Sequence, residues 1–239
     1  MNEIDIAKTR LIQAGLILEF LGHGDMTRGH VSIRMPGSPG LFLMKAHSIG
    51  FDEITMDNIL TFDLEGQLVA GTARPHSERY IHSEIFRARP DVNAVIHTHP
   101  THTVAFSATG QAMRALSQGG AMFENALPIF TDTIDLIRSK DMGAGLAKCL
   151  GPHHAVLLRS HGVAMAGDCV EQAVVLCVML EEACRVQMLL TASGSDGWLF
   201  PADDVARLRR NLFSPEQFVI NFDYLARKAR RAMRLPGHA

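Results

Sequence analysis

Two hydrophobic patterns share the chain: short apolar runs bounded by turn residues, and longer stretches in which apolar side chains return every three or four positions. The first predicts strands and the second amphipathic helices. Asn2 stands where a helix cap would, and Ile4, Leu11, Ala14, Ile17, Leu18 and Leu21 form a helical stripe that Gly22 and Gly24 end. Residues 31–35, 41–44 and 59–63 read as strands, separated by Pro36-Gly37-Ser38-Pro39-Gly40 and by Glu65-Gly66. After Pro75 a helix is expected over 77–89, with Glu78 in its first turn, and Pro90 closes it. Residues 92–98 then form a strand that ends in His97-Thr98-His99-Pro100, and Pro100 opens a helix stopping near Gly110.

Beyond Gly110 the pattern fades until a helix near 139–150. Residues 154–159 form a strand that delivers Ser160-His161-Gly162, and 163–166 extend it. Asp168 is expected to cap a long helix over 170–192, apolar on most sides. Two further helices open at Pro201-Ala202-Asp203-Asp204 and at Ser214-Pro215-Glu216. With no repeat and no long linker, the expectation is one α/β domain over 1–239, carrying a C-terminal helical extension from about 200.

Composition narrows the picture. Of 239 residues, 47% are apolar and 20% charged, as in an ordinary globular protein. No apolar run reaches the roughly 20 residues of a membrane-spanning helix. The first residues lack the basic start and cleavage site of a secretory signal, so a cytoplasmic protein with no membrane partner is expected. Cys149, Cys169, Cys177 and Cys184 show no Cys-x-x-Cys spacing, which suits reduced, buried thiols. A net charge of −2 argues against a nucleic-acid partner, and the basic run from Arg227 to Arg234 reads as the end of a helix. Histidine is the outlier: ten of the twelve lie between His30 and His161, around the His97-Thr98-His99 strand end.

Side chains two apart on a strand share a face, so His97 and His99 can converge on one ion. His161 also ends an apolar strand, and three imidazoles are a common way to hold a divalent metal while leaving positions open for substrate. Taken together, Pro75-His76-Ser77-Glu78, His97-Thr98-His99 and Leu157-Leu158-Arg159-Ser160-His161-Gly162 resemble the class II aldolase/adducin family over about residues 5–190. Glu78 lies 19 positions before His97, and His161 lies 62 after His99. The resemblance implies an α/β three-layer fold with a central, mainly antiparallel sheet flanked by helices. It implies a divalent metal (Zn, Mn, Co or Fe) on His97, His99 and His161, with Glu78 as the adjacent acid/base. It also implies a ring-shaped homotetramer with active sites between subunits. Adducin-like members that serve as assembly modules need no such histidines, whereas here every ligand position is filled.

Departures from the family pattern bear on the substrate. Members that cleave sugar phosphates resemble one another in a Gly-Asn-x-Ser turn, a Thr-Gly or Ser-Gly turn, and a Ser-Ser pair before the glutamate. This chain has Gly29-His30-Val31-Ser32, Ala46-His47-Ser48 and His76-Ser77-Glu78. Imidazoles fill the space that phosphate-binding amides and hydroxyls need, and can stack on or hydrogen-bond a flat carboxylated molecule. The pattern looks like the branch that decarboxylates hydroxylated aromatic or pyridine dicarboxylates and hydroxy-carboxy-dienoates. That resemblance places His30, His47, Ser48 and Ser77 against a small carboxylated substrate and offers His76 as a second proton donor. Arg28 and Arg74 could each clamp a carboxylate. The alternative is an aldolase acting on an unphosphorylated or non-sugar substrate. His82, His102, His153 and His154 read as helix or loop histidines outside the site.

Overall fold

A computed structural model describes residues 2–233; Arg234, the last cation of the basic run, lies outside them. In chain order the elements are α1 (Glu3–Phe20), β1 (His30–Arg34), β2 (Leu41–Lys45), β3 (Ile59–Asp63), β4 (Leu68–Ala70), α2 (Arg79–Ala88), β5 (Ala94–Thr98) and α3 (Thr101–Thr109). Then come α4 (Gln118–Phe123), β6 (Ile129–Phe130), α5 (Lys140–Leu150), β7 (Ala155–Leu158), β8 (Gly162–Gly167), α6 (Val170–Ala192), α7 (Ala202–Leu212) and α8 (Pro215–Met233). The eight strands form one sheet in the order β4-β3-β2-β1-β5-β8-β7-β6. Every pairing is antiparallel except β6 with β7.

Alternation along the strands sorts their side chains into two cores, as period-two geometry requires. Val31, Ile33, Ala94, Ile96, Leu157, Val163 and Met165 face one side, where they pack with Leu11, Leu18, Val174 and Phe222 from α1, α6 and α8. Phe42, Met44, Val95, Val156, Leu158 and Ala164 face the other, against Ile81 and Ile85 of α2 and Leu146 of α5. The expected three layers are therefore present, and α8 joins the main core through Phe218, Phe222 and Ala226. His30, Ser32 and His97 fall on the α2 and α5 side by the same alternation.

Several local expectations need correcting. Residues 163–166 do not extend the preceding strand: β7 turns back into β8, pairing Leu158 with Gly162 and Leu157 with Val163. Ser160 makes the reversal at φ +57°, a left-handed conformation. A Cβ on Gly162 would lie 2.4 Å from the Thr98 carbonyl oxygen and 2.8 Å from Cδ2 of His99, so only glycine lets the turn press against the end of β5. Asp168 does not cap α6. Cys169 occupies the cap position, while the Asp168 N–H donates to Gln172 Oε1 at 2.6 Å. Glu78 precedes α2 instead of lying in its first turn. The stripe of α1 loses Ile4, which is exposed, whereas Asn2 does accept the Asp5 N–H at 2.8 Å.

Candidate active site and metal centre

Three imidazoles converge where β5 and the β7–β8 turn meet. His97 is fully buried at the end of β5, His99 follows just beyond it, and His161 comes from the turn. Their ligand atoms lie within 4.8 Å of one another. Hydrogen bonding fixes which ring nitrogens are available. The Val163 carbonyl can only accept, so His97 Nδ1 donates to it at 3.0 Å and leaves a lone pair on Nε2. Among the described residues His99 Nδ1 has no hydrogen-bond partner, but it lies 3.4 Å from Asp25 Oδ2, whose charge favours the His99 proton on Nδ1. The two Nε2 atoms then face each other at 2.9 Å with lone pairs opposed. That approach is repulsive between neutral rings and attractive around a cation, so the trio fits a divalent metal. Burial pushes His97 well below the usual imidazole pKa and His99 down to about 4, with neighbouring imidazoles adding to both. Both rings are neutral near pH 7, the form that ligates.

A ladder of further imidazoles runs away from this clamp. Ring centroids are 5.0 Å apart for His97 and His30, 4.2 Å for His30 and His76, and 5.1 Å for His76 and His47. Burial, followed by the charge of Lys45, lowers His76 to about 3. Its Nδ1 accepts the Glu78 N–H at 3.3 Å, so Nε2 carries the proton and can donate to a ligand. Glu78 sits at the start of α2 with one oxygen anchored: Oε1 accepts the Ile137 N–H at 3.0 Å. Desolvation nonetheless raises its carboxyl to about 7, so it holds a proton for part of the time at neutral pH.

The cavity beside these groups is walled by Arg28, His47, His76, Ser77, Glu78, His99 and His161, with Val104, Ala105, Ile134 and Leu136 as apolar surface. His30 is completely enclosed behind the wall. Ser48 and Arg74 are not among the wall residues: Ser48 Oγ lies 2.5 Å from His47 Nδ1, and the Arg74 carbonyl accepts the His47 N–H at 2.9 Å. The Arg28 guanidinium pairs with Asp25 Oδ1 at 2.9 Å, so it is not a free clamp.

Three residues escaped the sequence reading. Asp25 bridges Arg28 and His99, and its only hint was the three-residue spacing to Arg28 in a turn. Lys45 is fully buried at the end of an apolar strand, donating to the carbonyls of Ile49 at 2.5 Å and Thr27 at 3.2 Å, with burial lowering its ammonium to about 8. His82, read as an ordinary helix histidine, lies 2.6 Å from His30. Its signal was the i, i+4 spacing from Glu78.

Comparison with known proteins agrees with the geometry. Residues 9–188 match the class II aldolase and adducin N-terminal domain. The decarboxylase NovR of Streptomyces niveus is 37% identical over 160 residues, covering 66% of this chain and 58% of that protein. The 3,4-dihydroxyphthalate decarboxylase of Arthrobacter keyseri is 28% identical over 215 residues, covering 84% and 86% of the two chains. An L-fuculose 1-phosphate aldolase from Glaciozyma antarctica PI12 superposes with a TM-score of 0.85 over 96% of this chain and 90% of that one; at 24% identity it speaks to fold alone. On the matched family domain, the shared fold and the named decarboxylase relatives, the chain belongs to the class II aldolase and adducin family.

Proposed function

We propose that the protein is a metal-dependent decarboxylase of a hydroxylated aromatic or heteroaromatic dicarboxylate, or of a ring-cleavage hydroxy-carboxy-dienoate. The observation that carries this reading is the imidazole ladder from His47 through His76 and His30 to the clamp. By the family resemblance it stands where sugar-phosphate aldolases carry small donors, so imidazoles replace the hydroxyls and amides that would hold a phosphate. The names of the NovR and dihydroxyphthalate relatives point the same way.

His97, His99 and His161 would hold a divalent ion, which when bound supplies a Lewis acid for charge that builds up as the bond to CO₂ breaks. The chain's own groups do the rest. Loss of CO₂ leaves an electron pair on carbon that a proton must quench. Glu78 is suited to deliver it: its pKa lies near neutrality, one oxygen is anchored on Ile137 N–H, and the other is free. The His76 Nε2–H can hold the retained carboxylate, and Ser77 stands beside it on the wall. Val104, Ala105, Ile134 and Leu136 give the opposite side an apolar surface against which a flat ring can lie.

The site also has an open rim. Ile134 on its wall is 71% exposed, as is Met26 at 74% close to Asp25 in sequence. This is consistent with a neighbouring copy covering the rim, as in the homotetramer that the family resemblance implies. The function is tested by adding hydroxyphthalates, hydroxypyridine dicarboxylates and carboxy-dienoates to metal-loaded protein and analysing both gas and fragments. CO₂ release is expected; two carbonyl-containing fragments without CO₂ would instead identify an aldolase.

A further inference from the structure

Behind the cavity wall a buried polar chain links β1 to α2. His30 and Ser32, two apart on β1, share one face of the sheet, and Glu78 and His82, four apart at the start of α2, face back toward them. His82 Nδ1 lies 2.6 Å from Ser32 Oγ, and His82 Nε2 lies 2.6 Å from His30 Nδ1. His30 Nε2 lies 3.7 Å from Glu78 Oε2. His30, Ser32 and His82 are fully buried, and Glu78 is 3% exposed. Among the described residues His30 Nε2 has no hydrogen-bond partner, although it is completely enclosed and lies toward the acid.

Packing alone does not account for a histidine at position 82. His82 stacks on Phe42, which in turn packs on Phe86, and an apolar side chain there would avoid desolvating two ring nitrogens. What His82 adds is direction. Each neutral imidazole carries one N–H, so the short contact between His82 and His30 ties up His30 Nδ1 and prevents the ring from flipping to exchange its nitrogens. Ser32 in turn anchors His82 from the α2 face of the sheet, with Ser32 Oγ also reaching the Val95 carbonyl at 3.4 Å. His30 Nε2 is then the only atom left to meet Glu78. Such outer partners orient the groups that act, in the way that they orient metal-bound histidines.

We propose that His82 is a positioning residue: braced on Ser32, it holds His30 so that Nε2 stays against the free oxygen of Glu78 and fixes the direction in which that carboxyl addresses the cavity. The turnover part of this inference rests on Glu78 as proton donor. The structural part does not, so the experiment has two arms. In Zn²⁺-loaded, ¹⁵N-histidine-labelled protein, a slowly exchanging ring proton between His30 and His82 is expected. His82→Leu should remove it, and Glu78→Gln should shift the His30 ring-nitrogen signals while preserving it. Absence of that proton in the wild type, or His30 signals indifferent to Glu78→Gln, overturns the proposal whatever the substrate proves to be.

On a turned-over substrate, His82→Leu should lower kcat roughly 10- to 100-fold, the range for lost outer partners, with KM changed less than about twofold. Metal content should stay at the wild-type level. His82→Gln, whose amide can both donate and accept, should recover part of the loss, and Ser32→Ala should give a smaller loss of the same kind. Should His82→Leu fail to fold, the Gln and Ser32→Ala variants carry the test. Wild-type kcat in those two variants, or parallel losses of kcat, KM and metal, overturns the proposal.

Discussion

At the scale of single residues, the proposed metal ligands and the proposed acid can be separated. His161 is held by a turn whose flanking strands are packed by Val156, Leu157, Leu158 and Val163, so removing its ring takes a ligand without opening the core. His161→Ala should leave a folded protein with far less bound metal, read by elemental analysis alongside circular dichroism; wild-type metal content would show that His161 is not a ligand. Glu78→Gln should do the opposite. It keeps shape and ion but cannot carry a proton, and turnover should fall by the 10²- to 10⁴-fold typical of a lost general acid. Near-normal turnover would move the role elsewhere, to His76 first. The convergence of His97, His99 and His161, and the position of Glu78 near them, were legible because each sits in a short motif at a strand or helix end. Asp25, Lys45 and His82 were not, because their roles come from contacts with residues distant in sequence, such as Asp25 with His99 and His82 with His30.

Among the elements, the segment after the clamp depends on a partner that its own sequence does not reveal. Pro100 leads into α3 without a side-chain cap. Glu181 of α6 supplies one instead, accepting from the N–H groups of His102 and Thr103 at 3.0 and 2.8 Å and from the Thr103 hydroxyl at 2.7 Å. Burial works to raise the Glu181 carboxyl, but these hydrogen bonds outweigh it and hold the pKa below its usual value. Glu181→Ala should lower stability by about 2 kcal/mol, the scale of charge-assisted capping bonds, measured by urea unfolding. A change under about 0.5 kcal/mol, typical of an inert surface site, would mean that α3 does not need this anchor. Most strands and long helices were readable from periodicity. The exceptions are instructive: β4, β6 and α4 span three, two and six residues, too short for a period to register, and are set by their neighbours. The β7–β8 reversal was missed because its apolar flanks read as one run across Ser160.

For the whole molecule, pH should act through the buried histidines. Burial holds His23 at about 4 against the opposing charge of Glu181, and burial followed by neighbouring charges holds His76 and His82 at about 3. Near pH 5 an unfolded chain would protonate these rings and the folded one would not, so stability in metal-free protein falls as pH drops below 6.5 toward 4. Glu78, raised to about 7, acts with the opposite sign: its contribution is full below 4.5 and gone above 7. His30, His97, His99 and His161 are lowered as well, and together the lowered histidines outnumber the raised carboxyls Glu19, Glu78 and Glu84; each net proton is worth about 1.4 kcal/mol per pH unit. A urea midpoint that stayed level or rose between pH 6.5 and 4.5 would contradict this accounting. Sedimentation should give four times the 26.2 kDa chain mass if the open rim is covered by a neighbour, and a monomer would leave that rim unexplained. By this proposal the imidazole trio and the ladder beside it serve a metal-dependent loss of CO₂. Its most direct test is CO₂ release from a hydroxyphthalate by the same protein sample before chelation, after it, and after Zn²⁺, Mn²⁺, Co²⁺ or Fe²⁺ is restored. Release that stops with chelator and returns with metal is the result predicted; undiminished release from metal-free protein would contradict it.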